Sequence, residues 1–156
     1  MFKELRRQDR ALSHEGTQEI LQKGVYGFLA VNSLNDYPYG IPLNYAYTNG
    51  SIYFHAAVEG QKLACLENNN KVTFCVVSES TVVPDQFSTR YKSAMVFGKA
   101  YELSGTEKVE ALVNIVRKYA TSEDCIIRGK QYAQGDRDLT AVFRIDIEHL
   151  TGKARR

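Results

Sequence analysis

Three residue groups in this chain could do chemistry together. Ile41-Pro42-Leu43-Asn44 comes first, His55-Ala56-Ala57 follows, and Gly60-Gln61-Lys62 closes the run. Pro42 has no N–H, so a strand carrying it lies at a sheet edge or a bulge and leaves neighbouring backbone groups open to another partner. Gly60 opens a helical pattern with Lys62 in its first turn. Free N–H groups at a helix start beside a lysine suit a phosphate. Ala56 and Ala57 let backbone approach a ligand closely. His55 ends a strand beside this point, and an imidazole titrates near neutral pH. Each piece also has a plain reading. Lys62 fits a solvent-facing lysine on a strand-to-helix connection, His55 a satisfied structural histidine, and Asn44 a turn or edge residue.

These groups need elements to position them. Ser13 caps a helix running through Lys23 and stopped by Gly24. Residues 25–31 read as a buried strand, and residues 33–36 as a turn. A second strand runs from Tyr39 to Tyr47, broken locally at Pro42. Asn49-Gly50 is a type I′ hairpin signal, and residues 51–55 return. Residues 25–55 therefore read as a three-strand meander. Residues 60–68 form a short helix with Leu63 and Leu66 inward, and residues 71–77 a fourth strand. Pro84 makes residues 78–89 a loop or irregular edge. Tyr91 to Tyr101 is a fifth strand with Gly98 as a bulge. A helix capped by Thr106 runs from Glu107 to about Ala120, with Val109, Leu112, Val113, Val116 and Tyr119 as its apolar stripe. Residues 121–138 read as polar and irregular, and residues 139–147 as a sixth strand. Residues 1–12 read as a loose lead-in.

The expected fold is mainly β (α+β): a six-stranded antiparallel barrel with short flanking helices, one domain over residues 1–156. Closure removes exposed edges. A barrel this small fills its interior with side chains, so a ligand must sit outside it or between subunits.

Composition narrows the function classes. Of 156 residues, 44% are hydrophobic and 24% charged, which excludes a disordered chain. Twenty Lys and Arg against eighteen Asp and Glu give a net charge of +2, too small an excess for a typical nucleic-acid binder. No apolar run approaches the roughly 18–20 residues of a membrane span, and the charged start is unlike a signal peptide. Cys65, Cys75 and Cys125 make neither a disulfide framework nor a metal knuckle and fit reduced thiols in the cytoplasm. The three histidines lack metal-ligand spacing. Ten Tyr and seven Phe with no Trp favour strands and flat surfaces able to meet an aromatic ligand.

The segments IPLNY, IYFHAAVEGQKL, RYKSAMVFGKA and the late TGK, with the opening RRQDR and the YGFLAV strand, resemble the pyridoxamine 5′-phosphate oxidase-related FMN-binding proteins, in particular their nitroimidazole-resistance branch. The resemblance covers nearly the whole chain. It implies a Greek-key split β-barrel and a homodimer with FMN at the interface. It implies that Ile41, Pro42, Leu43 and Asn44 lie along the isoalloxazine ring, whose pyrimidine edge offers matching donors and acceptors. His55, Ala56 and Ala57 would line the ribityl and phosphate approach, and Lys62 would pair with the phosphate. Ser93 matches a flavin-contacting position, with Arg90 and Lys92 as weaker candidates. Lys153 would pack near the flavin or the partner chain; the plain reading of residues 151–153 is a frayed tail. The family commonly has Ser where this chain has Ala56, which removes one hydroxyl from the site. The implied activity is reduction of a small nitro-aromatic such as a 5-nitroimidazole, with His55 donating a proton or orienting the substrate and Tyr45, Tyr47 or Phe87 walling the pocket. Alternatives are a flavin-binding or flavin-storage protein without its own substrate, and a pyridoxamine 5′-phosphate oxidase. The oxidase's tryptophan-containing C-terminal signature is missing.

Overall fold

The computed structural model describes residues 2–135 and 139–155. Seven strands form one antiparallel sheet: β1 (Gly27–Asn32), β2 (Pro38–Leu43), β3 (Ala46–Thr48), β4 (Ser51–Ala57), β5 (Lys71–Val83), β6 (Ser88–Glu102) and β7 (Thr140–Arg155). Four α-helices accompany them: α1 (His14–Lys23), α2 (Gln61–Asn68), α3 (Gly105–Tyr119) and α4 (Glu123–Gly135). The sheet order is β2-β1-β5-β6-β7-β4-β3. No helix among the described residues is long and apolar enough to cross a membrane.

This order shows why the sheet must roll up. β2 and β3 are its two edges, yet only Asn44 and Tyr45 separate them in sequence. A flat sheet of that many strands would hold its edges about 29 Å apart at the usual strand spacing. The link from Leu43 to Ala46 can reach only about 11 Å. The sheet therefore curls into a barrel that is split between β2 and β3, with Asn44 and Tyr45 bridging the split.

The expected meander is corrected at this point. Within residues 27–57 there are two hairpins, β1–β2 and β3–β4, but they lie at opposite edges. β4 pairs with β7, from His55 against Val142 to Ser51 against Asp146, instead of returning to β2. The chain break falls at Asn44-Tyr45 instead of Pro42, which sits on the edge strand β2 opposite Phe28. That division yields seven strands where six were expected. The I′ turn forms as read, with Asn49 and Gly50 at φ 51° and 76°.

Residues 78–89 are not an irregular edge. β5 and β6 continue as a long hairpin, and Pro84 opens the 3₁₀ turn Pro84–Gln86 at its tip. A proline tolerated at a first helical position carries no penalty for its missing N–H. The bulge at Gly98 is present, between Phe97 and Gly98. Strand β7 runs to Arg155, so Thr151, Gly152 and Lys153 are paired backbone, not a frayed tail.

The interior is filled by Tyr45, Phe54, Phe74, Leu29, Ile52, Val76, Val96 and Ile145, all fully buried. Each large apolar side chain buried there contributes roughly 1.5–3 kcal/mol. Helix α1, capped by Ser13 through the Gly16 N–H at 3.1 Å, closes the barrel with Ile20 and Leu21. From Phe2 onward the lead-in packs on the barrel: Phe2 stacks on His149 at 4.6 Å, and the Leu12 N–H donates to Gly152 O at 3.0 Å.

Two helical readings also change. Helix α3 starts behind Ser104 with no side-chain cap, and it buries Ala111 and Ile115 instead of the expected stripe, whose members are half-buried. Residues 123–135 form α4, where irregular chain was expected; residues 136–138 of that segment lie outside the described residues.

Candidate functional site

Strand alternation sorts the first site segment. Ile41 and Leu43 pack against the core, while Pro42 and Asn44 face outward. Any ligand contact from Ile41 or Leu43 would therefore use backbone. Asn44 donates its amide to Val25 O at 3.3 Å. On β4 the same alternation buries Ala56 and turns His55 and Ala57 outward.

The strand ends and Gly60 caps α2 at φ +122°, a conformation that L side chains rarely adopt. A Cβ at Gly60 would meet nothing within 4 Å, so the helix start faces open space. The Leu63 and Ala64 N–H groups bond Gly60 O, at 3.1 and 3.3 Å. Lys62 rises from this turn and places Nζ 5.9 Å from the Phe54 ring centroid. None of the ion pairs among the described residues involves it. Partial burial lowers the Lys62 pKa from its ordinary value. The His55 pKa is lowered by loss of hydration and then by the Lys62 cation. The histidine keeps an exposed edge, and both influences favour its neutral imidazole. One ring nitrogen then carries a proton and the other a lone pair.

Asn44 and His55 open onto one groove of about 650 Å³, whose far wall is α3 and α4. Tyr119 fixes that wall. Its hydroxyl donates to Val25 O at 2.6 Å, with Tyr45 O at 3.1 Å, and accepts the Tyr45 N–H at 3.1 Å. One phenol thus ties the segment before β1 to the link that bridges the barrel split. From α4 come Cys125, Arg128, Gly129 and Tyr132. Their spacing of i, i+3, i+4 and i+7 puts them on one helix face, which is the signal in the sequence that could have found them. Gly129 has a packing reason: a methyl there would overlap Val116 of α3.

Ser93 and Lys153 stand elsewhere. They are register partners on β6 and β7 and border a different hollow of about 320 Å³, roofed by Phe2, Lys3 and Leu5. Lys92 is held by Glu79 at 2.8 Å, and Arg90 is exposed beside Thr81 in register. Tyr45, Tyr47 and Phe87, the expected aromatic wall, do not line this groove. Tyr45 is fully buried with its hydroxyl on Leu21 O at 2.6 Å, and Tyr47 accepts from the Gln18 amide at 2.9 Å. Phe87 is 99% exposed at the β5–β6 hairpin tip. Tyr119 and Tyr132 take that place.

A family model described as pyridoxamine 5′-phosphate oxidase matches residues 13–154. Among solved structures, a protein of Bacteroides thetaiotaomicron provisionally described as a 5-nitroimidazole antibiotic resistance protein is 25% identical over 92% of this chain and 85% of its own, with a TM-score of 0.75. An FAD-binding protein of Mesorhizobium loti is 24% identical over 94% and 98%, TM-score 0.66. A flavocytochrome of Azotobacter vinelandii is 19% identical over 98% and 72%, TM-score 0.75. No curated protein matches the sequence.

Proposed function

Because the chain belongs to the pyridoxamine 5′-phosphate oxidase family, we propose that it is a flavoprotein that binds FMN and reduces small nitro-aromatic compounds such as 5-nitroimidazoles. The observation that carries this reading is the sequence of open features along one surface: the helix start at Gly60, the Lys62 ammonium, the His55 ring and the groove beginning at Asn44. A phosphate fits the first two, since the cation has no carboxylate partner among the described residues and the Gly60 turn leaves room. A flat ring system fits the groove. The likeness to the Bacteroides protein points to nitro-aromatic acceptors, and the flavin named for the Mesorhizobium protein points to the cofactor class.

When bound, the flavin supplies the redox chemistry. The chain supplies binding and protons. Lys62 and the backbone at the start of α2 hold a phosphate by charge and N–H donation. Pro42 on the edge strand leaves adjacent backbone groups for polar ring atoms, and the Asn44 carbonyl adds an acceptor. Neutral His55 orients a substrate or passes it a proton.

Ser93 and Lys153 border a separate hollow, and we propose that they act on the ligand of a second copy of the chain, in a homodimer with the flavin at its interface. Phe28 (46% exposed), Cys75 and Met95 lie in register across β1, β5 and β6 on the barrel's outer face, with Val77 (51% exposed) beside Ser93. An exposed apolar row of this kind suits a protein interface. The three free thiols fit a reducing cytoplasmic setting.

Purified protein is expected to show oxidised-flavin absorbance bands that bleach on reduction and return with a nitro-aromatic acceptor. A protein that neither carries flavin nor gains thermal stability from FMN would overturn the reading. Sedimentation as a monomer at micromolar concentration would overturn the interface model. Flavin binding without turnover of any nitro compound would favour flavin storage.

A further inference from the structure

We infer that the α3–α4 groove is a preformed binding site for a flat aromatic molecule carrying an acidic group, with Arg128 as the residue that selects the acid. This narrows the proposed function and rests on it: the acceptor at the same site would be a nitro-aromatic acid, with neutral nitro-aromatics such as 5-nitroimidazoles as weaker ligands. Four observations support it. First, the groove volume, about 650 Å³, lies in the range of small-molecule sites. Second, its wall is rigid. Tyr119 is pinned by its hydroxyl to Val25 and Tyr45, and Gly129 seats α4 directly on Val116, so no ordering of the wall is needed on binding. Third, two aromatic side chains are available to a flat ring: Tyr119 lines the inner wall, and Tyr132 is 72% exposed on the rim. Fourth, the charges on the lining are of one sign. Arg128 is a turn away from Tyr132 on the same face of α4, and no carboxylate lines the groove among the described residues.

The guanidinium presents its donors in a planar fork that matches a carboxylate. Neutral His55 and the Asn44 amide bound the opposite end. An acidic aromatic would therefore enter with its ring between the tyrosines and its anion on Arg128. Its far end would point toward His55. A cationic aromatic of the same size would meet Arg128 with like charge, and Lys62 beyond His55 adds to the same sign.

The test is calorimetric titration of the full-length protein with 4-nitrobenzoate and with its neutral amide, 4-nitrobenzamide, in parallel with a visible spectrum of each sample. The expected result is at least about tenfold tighter binding of the benzoate. Arg128→Gln should bring the two ligands within about twofold of each other, and Tyr132→Ala should weaken both. Both residues lie on the surface of α4, and circular dichroism checks the fold. Equal affinities in the native chain, or a benzoate preference that survives Arg128→Gln, would overturn the inference. Flavin absorbance with no benzoate preference overturns this inference alone. A benzoate preference without flavin overturns the flavoprotein reading and leaves the anion-selecting groove in place.

Discussion

Two lysines in this chain have their pKa lowered by burial, and they do different things. Lys118 on α3 holds Nζ 3.4 Å from the centroid of the Tyr45 ring, wholly out of solvent and without a hydrogen-bond partner among the described residues. Its pKa is brought down to about 8. Lys62 on α2 is half-buried at the edge of Phe54, beside an open helix start and a histidine whose titration it shifts. The first is enclosed by packing, with a cation–π contact to offset lost hydration. The second faces space that a ligand can enter. Burial of an amine is therefore a poor guide to a site. What matters is whether the surroundings leave the charge answered or unanswered.

Charge reversal should separate the two most sharply. Lys118→Glu places a carboxylate with no partner against Tyr45 and is expected to destabilise the fold by about 3–5 kcal/mol. Lys62→Glu should leave the urea midpoint nearly unchanged and cut FMN affinity by roughly a hundredfold, from loss of a charge-assisted contact and added repulsion. Equal losses of stability in both variants would erase the distinction. A smaller effect is expected one residue along. Tyr119→Phe strands the backbone at Val25 and Tyr45 and should cost about 1–3 kcal/mol in urea unfolding.

The pH dependence gives a third contrast. Lys118 has a folded pKa of about 8, below its ordinary value of 10.5. The unfolded chain thus holds the extra proton between those values. Stability should rise with pH across that window, and the penalty is fully present below it. Tyr45 acts oppositely above its ordinary value of 10.0, because burial raises it. Between pH 8 and 9.5 the lowered Lys62 and the raised Cys75 also contribute to the slope, so the Lys118 share is the difference between native and variant melts. Lys118→Met should flatten the slope, worth ~1 kcal/mol once solvent screening is allowed for. The smallest effect is spectroscopic. Lys62→Met should raise the His55 titration midpoint seen by NMR, whereas Lys118→Met should leave it in place. A midpoint that does not move in Lys62→Met would separate the two residues and weaken the site.

Local signals carried much of the fold. Ser13, Asn49-Gly50 and Gly98 act through their own backbone and immediate neighbours, so the cap, the I′ turn and the bulge were legible. The pairing of β4 with β7 joins residues some ninety positions apart. No turn residue announces it, and the adjacent hairpins suggested a meander instead. Helix α4 was hidden because Gly129 and a polar composition mask its face, and only packing on Val116 explains them. Within the site, His55, Asn44 and Lys62 were readable as strand-end and helix-start chemistry. Tyr119 was not. It read as one more member of an apolar stripe, since its role depends on carbonyls from two distant loops.

The central claim is that Lys62 and the Gly60 turn answer a phosphate, and it is tested most directly by comparing FMN with riboflavin, which has the ring and ribityl chain but no phosphate. In titrations followed by flavin fluorescence, the native chain should bind FMN at least about tenfold more tightly than riboflavin. Lys62→Glu should abolish or reverse that preference while leaving riboflavin binding near the native value. Equal affinity of the native chain for the two flavins, or a preference for FMN that persists in Lys62→Glu, would contradict the account.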